Sequence, residues 1–215
     1  MAKVREACRL ASPMRIVAVA ITCALVLATT ATAAVAAGTP NPCSPRNQGK
    51  VFQDWGDDNN YFAMPNGGFE EGSDDWWLYG NARVVWGNEP FDVGGWADMR
   101  SLRLSGWAMA ESRTICVGVG EDSVRLFVKN PRVDGASLHI DATVRNPATG
   151  RIATTGFDID ADAAPYGWAP TVPLRIPNLL GSDGGQQELT LRFTTGGTPA
   201  TWYIDDVYVD PWKLR

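Results

Sequence analysis

The sequence predicts an all-β domain, a two-sheet β-sandwich of about nine strands, and three observations carry that prediction. Apolar and polar residues alternate with a period of two in segment after segment. Leu138, Ile140, Ala142 and Val144 alternate with His139, Asp141 and Thr143, and Leu189, Leu191 and Phe193 alternate with Thr190, Arg192 and Thr194. This is the pattern of a strand with one buried face. Clusters of Gly, Pro, Asn and Asp separate these runs, as turns between short strands require. Helical periodicity is almost absent, and 22 Gly and 14 Pro leave long helices little room.

In chain order, Lys3, Arg5, Arg9 and Arg15 form a basic start, and residues 16–27 are 12 consecutive residues without charge. Small residues follow, with Ala34-Val35-Ala36 and Ala31-Thr32-Ala33 as cleavage sites, so residues 1–36 read as an export signal. The rival, a retained anchor, would need a strongly apolar core of about 20 residues, and this core is shorter. Residues 37–62 read as an N-terminal arm, Pro- and Asn-rich at first, and residues 63–215 as the sandwich. Strand patterns fall at 82–86, 101–105, 113–117, 124–129, 138–144, 151–158, 171–175, 189–194 and 201–209. Asn146-Pro147-Ala148-Thr149-Gly150 has turn composition and joins two of them as a hairpin. A short helical turn fits around 176–180.

Cleavage after Ala36 removes four of the 19 basic and one of the 24 acidic residues. The remaining 179 residues carry 15 basic against 23 acidic groups, a net charge of −8. An acidic exported chain lacks the basic footprint of a nucleic-acid binder, so that partner is excluded, as is the membrane once the signal is gone. Of four cysteines, Cys8 and Cys23 leave with the signal. Cys43 and Cys116 remain, and in an oxidising compartment with no third thiol to compete they predict one disulfide, tying the arm to the sandwich.

Two segments carry a resemblance. Asn66-Gly67-Gly68-Phe69-Glu70 is followed by Trp76-Trp77, and the far end reads Trp202-Tyr203-Ile204-Asp205-Asp206-Val207. Together they resemble the opening and closing strands of galactose-binding-like jelly rolls, a fold used by many carbohydrate-binding modules of secreted enzymes. Cys43-Ser44, Trp55-Gly56-Asp57, Gly87-Asn88-Glu89-Pro90-Phe91 and the stretch from Ile204 to Trp212 are similar to a group of secreted actinobacterial proteins, which implies a stand-alone exported module. The jelly-roll resemblance implies a structural calcium near the chain ends, with Glu70 and one of Asp205 or Asp206 among its ligands. On a period-2 strand those two aspartates face opposite sides. If Tyr203, Val207 and Val209 point inward, Asp205 does too, and a buried carboxylate needs a metal or hydrogen-bond donors.

All nine Trp lie beyond the signal. Flat aromatic faces pack against the C–H groups of sugars, while polar rims meet the hydroxyls; the competing use of Trp is core filling. Trp86 and Trp202 sit in strand patterns and read as core. Trp76 and Trp77 are adjacent and must diverge, and Trp55 and Trp212 read as covers for core edges. Trp96, Trp107, Tyr166 and Trp168 read as loop aromatics and are the candidate glycan platforms. Neither Asp54-Trp55-Gly56-Asp57-Asp58-Asn59-Asn60 nor Asp158-Ile159-Asp160-Ala161-Asp162 completes a calcium-loop pattern, and both read as solvated loops. His139, the only histidine, reads as an exposed strand residue, and no nucleophile or metalloprotease motif is present. The expected function is a secreted, non-catalytic module binding a glycan. The alternatives are a structural or protein-interaction sandwich without sugar, and a weak glycan-acting hydrolase or lyase. Ligand identity and oligomeric state are not encoded in any motif.

Overall fold

In a computed structural model the described residues are Cys43, 46–130, 133–162, 166–180, 185–196 and 200–210. The expected signal 1–36, its cleavage site and Trp212 lie outside them. Eleven antiparallel strands follow one another: β1 (Phe62–Ala63), β2 (Trp76–Trp86), β3 (Arg100–Ser112), β4 (Ile115–Gly118), β5 (Ser123–Asn130), β6 (Ser137–Arg145), β7 (Ile152–Asp160), β8 (Gly167–Pro170), β9 (Leu174–Arg175), β10 (Gln186–Thr195) and β11 (Thr201–Val209). A single 3₁₀ turn, Gln53–Trp55, is the only helical element among the described residues. Residues 176–180 form no helical turn, contrary to expectation; Asn146 donates to the Leu179 carbonyl, and Gln187 accepts from the Leu179 amide and donates to the Pro177 carbonyl.

The hydrogen-bonded path runs β7-β6-β10-β3-β11-β5-β8, with β2 on β3, β4 on β10, β1 on β11 and β9 on β5. Two long strands make this path into two layers. β2 starts at Trp76 and β3 continues to Ser112, both well beyond the short runs that alternation marks. The C-terminal half of β3 pairs with β10 (Glu111 opposite Arg192, Ala108 opposite Thr195), and its N-terminal half pairs with β11 (Ser105 opposite Thr201, Leu102 opposite Ile204). The β2–β3 ribbon therefore passes from one layer to the other. It turns where its register slips between Gly80 and Ala82. Gly80 has φ 63° and Gly106 φ 54°, and a Cβ on Gly80 would lie 2.4 Å from the Trp107 carbonyl. Only glycine fits that corner.

The first layer is β2-β3-β10-β6-β7 and the second β2-β3-β11-β5-β8. Their inner faces meet in one core. Leu138, Ile140, Val144, Leu189, Leu191 and Phe193 come from the first layer, and Leu102, Leu104, Leu126, Trp202 and Ile204 from the second. Trp76 stacks on Phe193 at 5.4 Å between ring centres. Each large side chain so buried contributes roughly 1.5–3 kcal/mol. This is the predicted two-sheet, jelly-roll β-sandwich.

The outer face of the second layer is partly covered. Phe127 and Tyr208 point away from the main core and pack with Phe52 and Tyr61 of the arm. Arg125 lies over the Phe52 ring at 4.1 Å and donates to Asp57 Oδ2 at 2.8 Å, an atom that the Tyr61 hydroxyl also reaches at 2.7 Å. Burial alone would raise the Asp57 carboxyl, but these donors hold it below its ordinary range. Asp57 is thus a paired anchor, not a solvated loop residue. The predicted disulfide between Cys43 and Cys116 is present. Beside it, Arg46 pairs with Glu121 at 2.8 Å and donates to the Cys116 carbonyl.

Candidate functional site

The opening and closing segments are neighbours. Met64 N–H donates to the Val207 carbonyl at 2.8 Å, and Val207 N–H donates to the Gly67 carbonyl at 3.1 Å. Asn66 holds the opening turn, donating to the carbonyls of Gly72 and Asp74 and accepting from Glu71 N–H. Its own carbonyl receives the indole N–H of Trp76. The Asn-Gly-Gly-Phe-Glu motif is therefore a folded plug against the end of β11.

Around that plug lies a buried acidic cluster. β11 loses its register between Asp205 and Tyr208, and Asp206 adopts φ 49°. The bulge breaks the alternation, so Asp205 and Asp206 are both buried instead of facing opposite sides. The inward positions of β11 include Trp202 and Ile204, with Tyr203 outward, so the expected inward Tyr203 is corrected. Asp205 accepts from the amides of Glu89 and Asp206. Carboxylate oxygens of Glu89, Asp98 and Asp206 lie within 4.8 Å of one another. Both oxygens of Asp98 and Oδ2 of Asp206 are buried with no hydrogen-bond donor among the described residues. Burial, together with the neighbouring carboxylates, pushes Asp98 up to about 7, Asp206 to about 8 and Asp205 to about 10.

Glycines make room for this cluster. A Cβ on Gly94 would sit 2.6 Å from Asp98 Oδ2, and one on Gly68 would sit 3.3 Å from Asp206 Oδ1. An all-oxygen acidic set of this kind, with Asp98 and one oxygen of Asp206 undonated, fits a hard divalent cation such as calcium. Of the expected ligands, Asp206 is a member, and Glu89 and Asp98 were not foreseen. Glu70 spends Oε1 on the amides of Met99 and Arg100, at 2.7 and 2.6 Å, and flanks the cluster. Asp205 already accepts one backbone amide on each oxygen. Glu89 and Asp98 escaped sequence reading because they stand far from the motif, on the loop between β2 and β3. Glu89 also shapes that loop, accepting from the amides of Phe91 and Val93.

The candidate aromatics are scattered. Trp96 stands at the tip of the 87–99 loop, 95% exposed, and Tyr166 is exposed just before β8. Trp107 is not in a loop: it lies in β3 at the corner between layers, 74% exposed. Trp168 is in β8, half-buried against the Phe52–Phe127 cluster and 6.3 Å from the Tyr203 ring. Trp86, expected in the core, is 71% exposed at the end of β2, with the Arg100 guanidinium 5.0 Å from its ring centre. Trp202 and Trp76 are buried, Trp77 is exposed, and Trp55 covers the second aromatic cluster.

What the register does bring together is the outer face of the first layer. Across it runs a row Trp77, Glu111, Arg192, Asp141, Gly156 and a parallel row Tyr79, Met109, Thr194, His139, Asp158. Arg192 pairs with Glu111 at 2.6 Å. His139, half-buried on the outer face, bridges Asp158 at 2.7 Å and Asp141 at 3.2 Å. Its ring lies over Gly156, where a Cβ would be 2.9 Å away. Trp77 and Tyr79 stand exposed at one end, with Trp107 at the adjoining corner. A shallow groove of about 550 Å³ beside the disulfide contains Arg46 and Arg113, but both are already paired, with Glu121 and Asp75.

Fold and surface define a jelly-roll β-sandwich module with an aromatic, hydrogen-bonding outer face and a buried acidic cluster. Solved structures similar to it include a carbohydrate-binding module, TmCBM61, in complex with β-1,4-galactotriose. That match is 16% identical over 68% of this chain and 96% of that one, with a TM-score of 0.37. A non-crystalline cellulose-specific module, CBM28, is 15% identical over 69% of this chain and 94% of that one, with a TM-score of 0.47. The C-terminal family 22 module of Clostridium thermocellum Xyn10B is 15% identical over 66% and 88%, with a TM-score of 0.35. No protein-family model matches the sequence, and no curated protein matches it.

Proposed function

We propose that the chain is an exported, non-catalytic module that binds carbohydrate on the outer face of its first layer. The observation that carries this reading is the placement of Trp77 and Tyr79, on successive outward positions of β2, beside a continuous polar ladder over β3, β10, β6 and β7. Flat rings offer stacking surfaces, and the ladder supplies the donors and acceptors that hydroxyls need. Glu111, Asp141 and Asp158 are each engaged by Arg192 or His139, which supports a recognition role over acid–base chemistry. The second layer has part of its outer face under the arm; the first has no such cover among the described residues.

The cluster of Glu89, Asp98 and Asp206 would hold a calcium ion, whose role is to neutralise buried charge and fasten the 87–99 loop to β11. The orphaned oxygens of Asp98 and Asp206 support this part of the reading.

Affinity electrophoresis of the mature chain through gels containing neutral soluble polysaccharides tests the glycan reading. Retardation by at least one, lost in Trp77→Ala/Tyr79→Ala and kept in Trp96→Ala, is the expected result. Retardation lost only in Trp96→Ala would move the site to the 87–99 loop. No retardation by any polysaccharide would favour the structural sandwich without sugar.

A further inference from the structure

The outer face of the second layer holds a different row. Strand register aligns Arg83 of β2, Arg103 of β3, Tyr203 of β11, Lys129 of β5 and Trp168 of β8 across five strands. Each points away from the core. Their neighbours Ala82, Val84, Leu102, Leu104, Trp202, Ile204 and Val128 all face inward, and alternation turns the intervening residues out. Lys129 Nζ lies 5.1 Å from the Tyr203 ring centre, and Tyr203 lies 6.3 Å from Trp168. At about 4.8 Å per strand the row spans about 19 Å.

Charge sets this row apart. Three cations stand in it and no carboxylate does, although the mature chain expected from the sequence carries −8. Six of the eight other described arginines have an acidic partner, Arg46, Arg113, Arg125, Arg145, Arg175 and Arg192, while Arg100 and Arg151 have none among the described residues. Arg83, Arg103 and Lys129 make no ion pair among the described residues. Beside them, the hydroxyls of Ser105 and Thr201 face each other at 2.7 Å, adding neutral polar groups. The arm covers this face over Arg125, Phe127 and Tyr208 and touches the row only at its Trp168 end, where that ring is half-buried against the Phe52–Phe127 cluster.

We infer that this row is a second binding site, for an anionic polysaccharide, and that the two outer faces take glycans of different charge. Guanidinium groups pair with carboxylate or phosphate oxygens in a bidentate fork, while Lys129 supplies a point charge. Tyr203 and Trp168, set between and beyond the cations, give stacking planes for the sugar rings. A uronic-acid chain and a sugar-phosphate chain share the recognised chemistry. The inference rests on the carbohydrate reading above, but it places the ligand on other residues.

The test uses the full mature chain and two probes, polygalacturonate and poly(glycerol phosphate), with binding followed by calorimetry at low and at raised salt. A neutral polysaccharide and an oligothymidylate serve as comparisons. Arg103→Ala/Lys129→Ala should weaken binding of one or both polyanions about tenfold or more, and raised salt should weaken it further. Trp77→Ala/Tyr79→Ala should leave polyanion binding unchanged while abolishing neutral-glycan binding. Arg113→Ala, off both faces, should change neither. Polygalacturonate alone would identify carboxylate as the recognised group, and poly(glycerol phosphate) alone would identify phosphate. Absence of polyanion binding at low salt overturns the inference, as does binding that survives Arg103→Ala/Lys129→Ala. Oligothymidylate bound as tightly as either polyanion would also overturn it, because the row would then read strands of nucleic acid. Loss of neutral-glycan binding alone would sink the first-face reading and leave this one standing.

Discussion

The carbonyl of Gly67 accepts the amide hydrogen of Val207 at 3.1 Å, so two segments 140 positions apart share one backbone contact. A Cβ at position 67 would lie 2.7 Å from the Val207 carbonyl oxygen. That oxygen belongs to the backbone of a buried strand and cannot rotate away. Gly67→Ala should therefore destabilise the domain by about 1–3 kcal/mol, the usual cost of forcing atoms into a packed site. Urea unfolding measures it, and an unchanged midpoint would mean the plug does not seat on β11.

Calcium should stabilise the fold. With free ion at a hundredfold excess over its dissociation constant, binding to the native state alone adds about 2.7 kcal/mol. Thermal melting in calcium against EDTA reads this directly. Asp98→Asn should abolish the response without weakening the metal-free protein, because a carboxamide can donate to Asp206 where two carboxylates repel. A calcium response that persists in Asp98→Asn would place the ion elsewhere.

His139 gives the surface a modest pH dependence. The hydrogen bond to Asp158, with the second to Asp141, raises its pKa above the ordinary 6.5 despite partial burial. A raised folded value means that stabilisation is full below pH 6.5 and fades as pH rises through the folded pKa. The ring is 42% exposed, so screening keeps the effect to a few tenths of a kcal/mol. An NMR titration of the His139 ring should give a pKa above 6.5, and a value at or below it would contradict the bridge between the two aspartates.

Opening the Cys43–Cys116 bond should loosen the arm first. The bond closes a separation of 73 residues, for which chain entropy predicts roughly 4 kcal/mol. Cys43→Ser/Cys116→Ser should lower the melting temperature and speed amide exchange at Gly49 and Tyr61, which pair through a short bridge. Equal exchange in both forms would show that Arg46 and the Phe52 cluster hold the arm unaided.

Much of the fold was legible because alternation is a local signal. Leu138 to Val144 and Leu189 to Phe193 alternate cleanly and became β6 and β10. Alternation failed where backbone irregularity enters. The slip near Gly80 hid the first half of β2, and the bulge at Asp206 lets Tyr203 face outward while Val207 and Val209 face inward as expected. Trp86 looked like core because its neighbours alternate, yet it ends its strand and meets Arg100 in the open. The cluster was half legible: Asp205 and Asp206 stand in a recognisable motif, while Glu89 and Asp98 sit in an irregular loop that no periodicity describes.

The chain's own order of residues determined most of the strands, the Cys43–Cys116 disulfide and the meeting of the Asn-Gly-Gly-Phe-Glu and Asp-Asp segments, because period-2 patterning, cysteine number and motif chemistry are properties of short stretches. Only tertiary structure decided which side chains share a face. Tyr79 reaches His139 through β3 and β10, and Arg83 reaches Trp168 through β3, β11 and β5, by register between strands far apart in sequence. A shift of one residue in any pairing would turn those side chains to the opposite side, so the surfaces that meet other molecules are fixed by hydrogen-bond register and not by composition.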